Sequence, residues 1–223
     1  KAHKNIKLMI STTISEVKGY VGNFKATATK NGEKTDLEVG TIIVACGAMS
    51  YTPPEGLYQY GVFDRVVTQL EMDELLREGK LPKPERVVMI QCVGARKGEI
   101  RAYGVEAFLK SDTAILLRKI LKARKEEGWP YCSRICCMNA IKNAILIKTR
   151  FPETDVVILY GDLRVYKEYE DLYSKARDLE VKFVKFIEEA TPEISETPDE
   201  RLKVLVYDML AGQQVEFPCD WVV

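Results

Sequence analysis

Two kinds of apolar pattern run along the chain. Residues 12–17 and 24–29 alternate apolar and polar side chains around Gly19 and Gly22, Asn31-Gly32 marks a tight turn, and residues 33–38 return as a further strand. A shorter strand is expected at residues 6–10, and together these segments predict a solvated antiparallel meander. Thr41-Ile42-Ile43-Val44-Ala45 has a different pattern: a continuous β-branched run of the kind that makes a strand buried on both faces. It ends in Cys46-Gly47-Ala48, where a glycine lets backbone come close to a ligand or another strand.

Buried runs of the same kind recur at residues 86–91, 155–160 and 181–187. Between them lie helical patterns. A short helix is expected near residues 71–79, closed by Gly79, between a Pro53-Pro54 break and a Pro82/Pro84 pair. Residues 104–127 place Val105, Phe108, Leu109, Leu117, Ile120 and Leu121 among Lys, Arg and Glu, which predicts an amphipathic helix. Pro130 ends it, and further helices are expected over residues 132–149 and 167–179. Strand and helix in alternation predict βαβ units on a parallel sheet. Residues 202–209 and 214–217 read as a hairpin around Ala211-Gly212, and Trp221-Val222-Val223 opens another apolar strand.

The fold class expected is therefore α/β, a Rossmann-type three-layer parallel sheet with antiparallel β-meander appendages. The division expected is residues 1–52 as part of one nucleotide-binding-type domain, 53–84 as a linker or crossover, 85–190 as a Rossmann domain, and 191–223 as a meander returning to the first domain.

Composition narrows the partners. With 223 residues, 46% of them hydrophobic, the chain can bury a substantial core. Its 33 basic and 33 acidic residues cancel, so no global field draws in nucleic acid or an anionic membrane surface. No apolar run reaches the roughly 18–20 residues that cross a bilayer, and no signal-peptide core follows the first residues. A cytoplasmic location is expected. The chain does not begin with Met and stops within an apolar stretch, so a piece of a longer protein is expected.

The candidate chemistry is in the cysteines. Of six, Cys92 closes the strand of residues 86–91, and Cys132, Cys136 and Cys137 open the helix after Pro130. Thiolates are soft ligands, and such clustering outside an oxidising compartment points to metal or redox chemistry rather than a disulfide framework. At Cys92-Val93-Gly94-Ala95-Arg96 a dinucleotide fold would carry G-x-G-x-x-G; only Gly94 is present. On an ideal helix Cys132 and Cys136 share a face and Cys137 lies about 100° further round. Adjacent Cys136 and Cys137 cannot both face one ion, a geometry that a cluster several ångströms wide tolerates better. With Cys92 reaching over, four thiolates suit a [4Fe-4S] cluster. A four-cysteine zinc site in a non-catalytic docking module, a dithiol that exchanges with disulfides, and inert packing remain open at this point. Cys46 and Cys219 read as packing residues, and the single histidine, His3, sits near an end, which leaves little room for histidine acid-base catalysis.

These residues carry a resemblance. Ile42-Ile43-Val44-Ala45-Cys46-Gly47-Ala48 resembles the A-T-G strand end of thioredoxin-reductase-like flavoproteins. Val88-Met89-Ile90-Gln91-Cys92-Val93-Gly94-Ala95-Arg96 with Tyr131-Cys132-Ser133-Arg134-Ile135-Cys136-Cys137-Met138 is similar to the motif pair of the heterodisulfide reductase A subunits, and Tyr160-Gly161-Asp162-Leu163-Arg164 fits it too. The resemblance covers about residues 17–223. It implies an oxidoreductase, an iron-sulfur flavoprotein that binds FAD and passes electrons among the subunits of a larger complex, with ferredoxin or hydrogenase/dehydrogenase donors. By position, Cys92, Cys132, Cys136 and Cys137 would hold a [4Fe-4S] cluster. Ala45, Cys46 and Gly47 would lie near the adenine-dinucleotide half of FAD, and Gly94, Arg96 and Arg134 would join the cofactor-binding set, the two arginines offsetting the cluster's charge. Residues 1–52 would then belong to an FAD-binding domain and 85–190 to an NAD(P)-binding-like one. Cys46 stands where the family has Thr, and about thirty residues between Arg96 and Tyr131 look inserted. The family's amino-terminal G-x-G-x-x-G and ferredoxin-type cysteine runs do not appear, so weak or absent FAD binding is expected, and an exposed sheet edge would favour a homodimer.

Overall fold

The computed structural model describes residues 3–47, 50–93, 132–187 and 190–223. The chain divides into two compact units, Lys1–Ser50 and Tyr51–Val223. Gly94, Arg96 and the helix expected at residues 104–127 lie outside the described residues.

The first unit is an antiparallel meander of β1 (Thr13–Tyr20), β2 (Asn23–Lys30) and β3 (Glu33–Val39) in the order β1-β2-β3. Asn31 and Gly32 both take positive φ (49° and 87°), the backbone that joins two strands through a two-residue turn. Residues 6–10 and 41–45, read from the sequence as strands, are not strands. Ile43 and Val44 are exposed at 87% and 82%. A strand buried on both faces needs hydrogen-bonded neighbours, and none pairs with this segment among the described residues.

The second unit is layered. Its centre is a parallel sheet in the order β10-β4-β5-β6, made of β4 (Arg86–Ile90), β5 (Asp155–Tyr160), β6 (Lys182–Lys185) and β10 (Trp221–Val222). Side chains alternate across it. Val87, Met89, Val156 and Ile158 enter one core with the helices α1 (Gln69–Glu78), α2 (Cys136–Arg150) and α3 (Glu170–Asp178). Val88, Ile90, Val157 and Leu159 enter a second core with Ile194, Leu202, Val204 and Val206 from β7 (Glu193–Glu196) and β8 (Leu202–Asp208). With β9 (Gln213–Cys219), these two strands form the antiparallel sheet β7-β8-β9. The three layers are thus helix, parallel sheet and meander, and the α/β class holds. β4 and β5 read as uninterrupted Val/Ile/Met/Leu because both of their faces are covered.

Residues 53–84 and 191–223 both fall within the second unit. Residues 53–84 do more than link, since Met72, Leu76 and Leu81 are buried in the helix-side core. Thr68 and Glu71 form a reciprocal capping box that starts α1, and Gly79 at φ 73° ends it. The 191–223 meander, expected to return to the first domain, belongs to the second unit. It covers the free face of the parallel sheet and hands on to β10, where Asp220 Oδ2 accepts from the N–H groups of Glu85 (2.6 Å) and Arg86 (3.0 Å).

Packing against α1 and β5 fixes α2. Ala140, Ile141, Ala144 and Ile147 are fully buried, and Asn143 Nδ2 donates to the Gln69 backbone oxygen and Oε1, both at 2.9 Å. Its last turn is held by Lys148, whose ammonium donates to the backbone oxygens of Pro152 (2.7 Å) and Thr154 (3.2 Å). These contacts set the first turn of α2 beside the carboxyl ends of β4 and β5.

Candidate metal centre

The carboxyl edge of a parallel sheet is where such folds place ligands, and three pieces of chain meet there. The first follows β4. Gln91 N–H still bonds to the Leu159 oxygen at 2.9 Å, but Cys92 turns out of the ladder at φ 64°. The second precedes α2, where Arg134 sits at φ 61° and the N-cap residue Ile135 supplies no side-chain cap. The third follows β5, through Gly161 and Asp162 to Arg164. Positive φ at a non-glycine residue is costly and persists where the surroundings impose it.

Cys132 is therefore not on the helix. The sequence placed it at i−4 from Cys136 on one helical face, but α2 starts at Cys136, and Arg134 in the left-handed region breaks any helical run from 132. This frees the Cys132 thiol from the direction an ideal helix would give it, and Arg134 N–H donates to its sulfur at 3.3 Å. Cys136 and Cys137 occupy the first turn, where N–H groups without intrahelical partners favour thiolate.

Cys137 is acted on by the other three cysteines. Cys136 and Cys137 share a hydrogen bond, the Cys92 backbone N–H reaches the Cys136 sulfur, and Cys137 feels the charges of Cys92 and Cys132. Cys137, only 1% exposed, is the one pushed below the ordinary thiol range. The hydrogen bond from Cys136 does most of this, against the opposing effect of burial, with help from Arg164 N–H at 3.5 Å. Cys136 is driven strongly upward, first by holding the shared proton toward Cys137 and then by burial. Of the two adjacent thiols, Cys137 is thus the one that gives up its proton first.

Arg164 closes the Tyr160-Gly161-Asp162-Leu163-Arg164 segment but was not among the expected site residues. Its guanidinium is paired with Asp162 at 2.8 Å and also feels Cys132 and Cys137. Its contact with Cys137 uses the main chain, so residue type gave no sign of it; its place in the loop after β5 was the readable signal. Arg134, Asp162, Arg164 and Tyr166 line an open cavity of about 370 Å³.

The chain has known relatives. It is 37% identical over 205 residues to the A subunit of the H(2):CoB-CoM heterodisulfide,ferredoxin reductase of Methanothermobacter thermautotrophicus, a match covering 86% of this chain and 27% of that protein. To the iron-sulfur A subunit of the CoB--CoM heterodisulfide reductase of Methanocaldococcus jannaschii it is 37% identical over 208 residues, with the same coverage of 86% and 27%. To the A subunit of the ferredoxin:CoB-CoM heterodisulfide reductase of Methanosarcina acetivorans it is 32% identical over 229 residues, covering 86% and 25%. The chain is homologous to the heterodisulfide reductase A subunits. It spans about a quarter of their length. No protein-family model matches the chain.

Among solved structures, the chain is similar to reduced ornithine hydroxylase from Pseudomonas aeruginosa (TM-score 0.43, 10% identity, 95% of this chain and 53% of that one). It is also similar to an HOCl-induced flavoprotein disulfide reductase from Escherichia coli (TM-score 0.38, 14% identity, 91% and 33%). Both likenesses are too low to bear on function.

Of the remaining residues suggested by the heterodisulfide reductase resemblance, Ala45, Cys46 and Gly47 lie in the first unit on exposed chain, with Gly47 at φ 71°. Arg134 is exposed beside Cys132, while Gly94 and Arg96 fall outside the described residues. Among the described residues no three His, Cys, Asp or Glu side chains gather tightly enough for a single metal ion. The donor set nevertheless fits an iron-sulfur group: soft thiols from separate chain segments, with the backbone N–H groups of Cys92, Arg134 and Arg164 directed at their sulfurs.

Proposed function

We propose that Cys92, Cys132, Cys136 and Cys137 ligate one [4Fe-4S] cluster and that the chain is an electron-carrying part of a heterodisulfide reductase-like A subunit. The observation that carries this reading is the reach of Cys92: a cysteine forty residues before Cys132 in sequence brings its backbone N–H to the Cys136 sulfur and its charge within range of Cys137, the pair that opens α2. The main-chain N–H groups aimed at sulfur support it further, because such hydrogen bonds help to set a cluster's potential.

The cluster would supply one-electron chemistry. The chain's own residues would supply thiolates, main-chain donors to their sulfurs, and the guanidinium groups of Arg134 and Arg164 from the wall of the adjoining cavity. FAD in the complete protein, contacts from Ala45, Cys46 and Gly47 to its adenine-dinucleotide half, and placement of residues 1–52 in an FAD-binding domain belong to the same proposal. So do roles for Gly94 and Arg96 at the cofactor edge, a cytoplasmic location, and the partners: other subunits of the complex, with ferredoxin or a hydrogenase or dehydrogenase as electron donor. The reading is tested by the metal content of anaerobically prepared protein. Iron and acid-labile sulfide in equal amounts are expected, and stoichiometric zinc without sulfide would replace the cluster with a structural site.

A further inference from the structure

Gln91 is the one polar residue in an otherwise apolar strand end. It is 2% exposed, and its Nε2 has no hydrogen-bond partner among the described residues. Leaving a buried amide donor unpaired is costly, so native cores rarely do it without a reason. The backbone shows which way the side chain goes. Gln91 N–H keeps the ladder bond to Leu159, so the alternation of β4 runs through it. Val87 and Met89 face the helices, Val88 and Ile90 face the meander, and Gln91 follows Val87 and Met89 to the helix side. At this end of the sheet the helix side holds the first turn of α2, with Cys136 and Cys137. The very next residue, Cys92, brings its N–H to the Cys136 sulfur.

We propose that Gln91 is a positioning residue for the cluster: its Nε2–H donates to a sulfur of the bound group, either a cysteine thiolate or a cluster sulfide. This rests on the cluster reading above. A donor to sulfur stabilises the more negative, reduced state and therefore raises the potential. It also explains why a residue that is poor for a dry core directly follows residues 87–90, all of them Val, Met or Ile.

The test uses Gln91→Met, which keeps the length and removes the donor, and Gln91→Glu, which keeps the shape and replaces the donor with a charge. Iron and sulfide are counted first, the midpoint potential is then measured by EPR-monitored titration, and each protein is melted after iron removal. The expected result is wild-type iron in Gln91→Met with a lower midpoint potential, a still lower one in Gln91→Glu, and a higher melting temperature for iron-free Gln91→Met than for iron-free wild type. Should Gln91→Met lose iron, the Gln91→Glu titration carries the decision. A wild-type midpoint in a loaded variant, or an iron-free Gln91→Met that melts at or below wild type, overturns the proposal. Wild-type protein without iron or sulfide sinks the cluster reading instead, and the iron-free melts then still decide whether Gln91 is unpaired.

Discussion

Met72 tests whether residues 53–84 are structural core or spacer. The side chain is fully buried, in contact with the cluster that includes Met89, Ile141 and Ile158. Met72→Ala removes three heavy atoms; at about 0.8 kcal/mol for each methylene equivalent this is about 2.4 kcal/mol of lost transfer energy. The neighbours are β4 and α2, which are held by their own backbone hydrogen bonds and cannot close the gap fully, so a cavity contribution brings the total to about 3 kcal/mol. For a unit of this size, about 2–4 °C per kcal/mol gives a melting temperature lower by about 6–12 °C. Leu70, two residues earlier on the same helix and 52% exposed, is the control: Leu70→Ala should stay within about 0.5 kcal/mol of wild type. Urea and thermal unfolding followed by circular dichroism measure both. If Met72→Ala unfolds together with Leu70→Ala, α1 does not carry the core and the layered arrangement described above is wrong.

Further outcomes follow from the two ends of the sheet. Asp155, at the opposite end from the cysteines, bonds Arg86 Nε and Lys182 Nζ, each at 2.8 Å. Burial works against its charge, but the hydrogen bonds and charges of Lys182 and Arg86 outweigh it and hold the carboxyl below its ordinary range. Its stabilisation is fully present above the unfolded-state value of about 4 and is lost as pH falls through the lower folded value. Asp155→Asn should thus cost about 1–2 kcal/mol at neutral pH, with the gap to wild type closing below about pH 4 in urea titrations; a gap that persists unchanged into acid would contradict the ion-pair account. At the cysteine end, Arg134→Leu removes an exposed cation beside Cys132 and should lower the cluster's midpoint potential, which EPR-monitored titration reads; an unchanged value would place Arg134 outside the cluster's field.

The parallel sheet was legible because its central strands are buried on both faces: Val87-Val88-Met89-Ile90 and Val156-Val157-Ile158-Leu159 leave no solvent side to blur the pattern. The same rule misread Ile42-Ile43-Val44, since an apolar run specifies burial only where the fold supplies neighbouring strands, and none pairs with it among the described residues. β7 escaped notice because Glu193-Ile194-Ser195-Glu196 buries one side chain only. Thr68-Gln69-Leu70-Glu71 was readable as a capping box, and that signal would have moved the start of α1 back from 71 to 69. The start of α2 was not readable: Ile135 provides no capping side chain, and the residue that stops the helix from beginning at 132 is Arg134, whose left-handed backbone has no signature in its residue type. The cysteines themselves were visible at once. The main-chain donors of Cys92, Arg134 and Arg164 were not, because an N–H is common to nearly every residue and only the fold aims it.

The central claim is that Cys92 shares a cluster with the three cysteines around the start of α2, and iron and acid-labile sulfide analysis of anaerobically reconstituted wild type beside Cys92→Ser tests it most directly. The account predicts about four iron and four sulfide per wild-type chain, and a marked loss of both in Cys92→Ser. A single zinc with no sulfide in wild type, or a Cys92→Ser protein that keeps the full complement with an unchanged EPR spectrum, would contradict it.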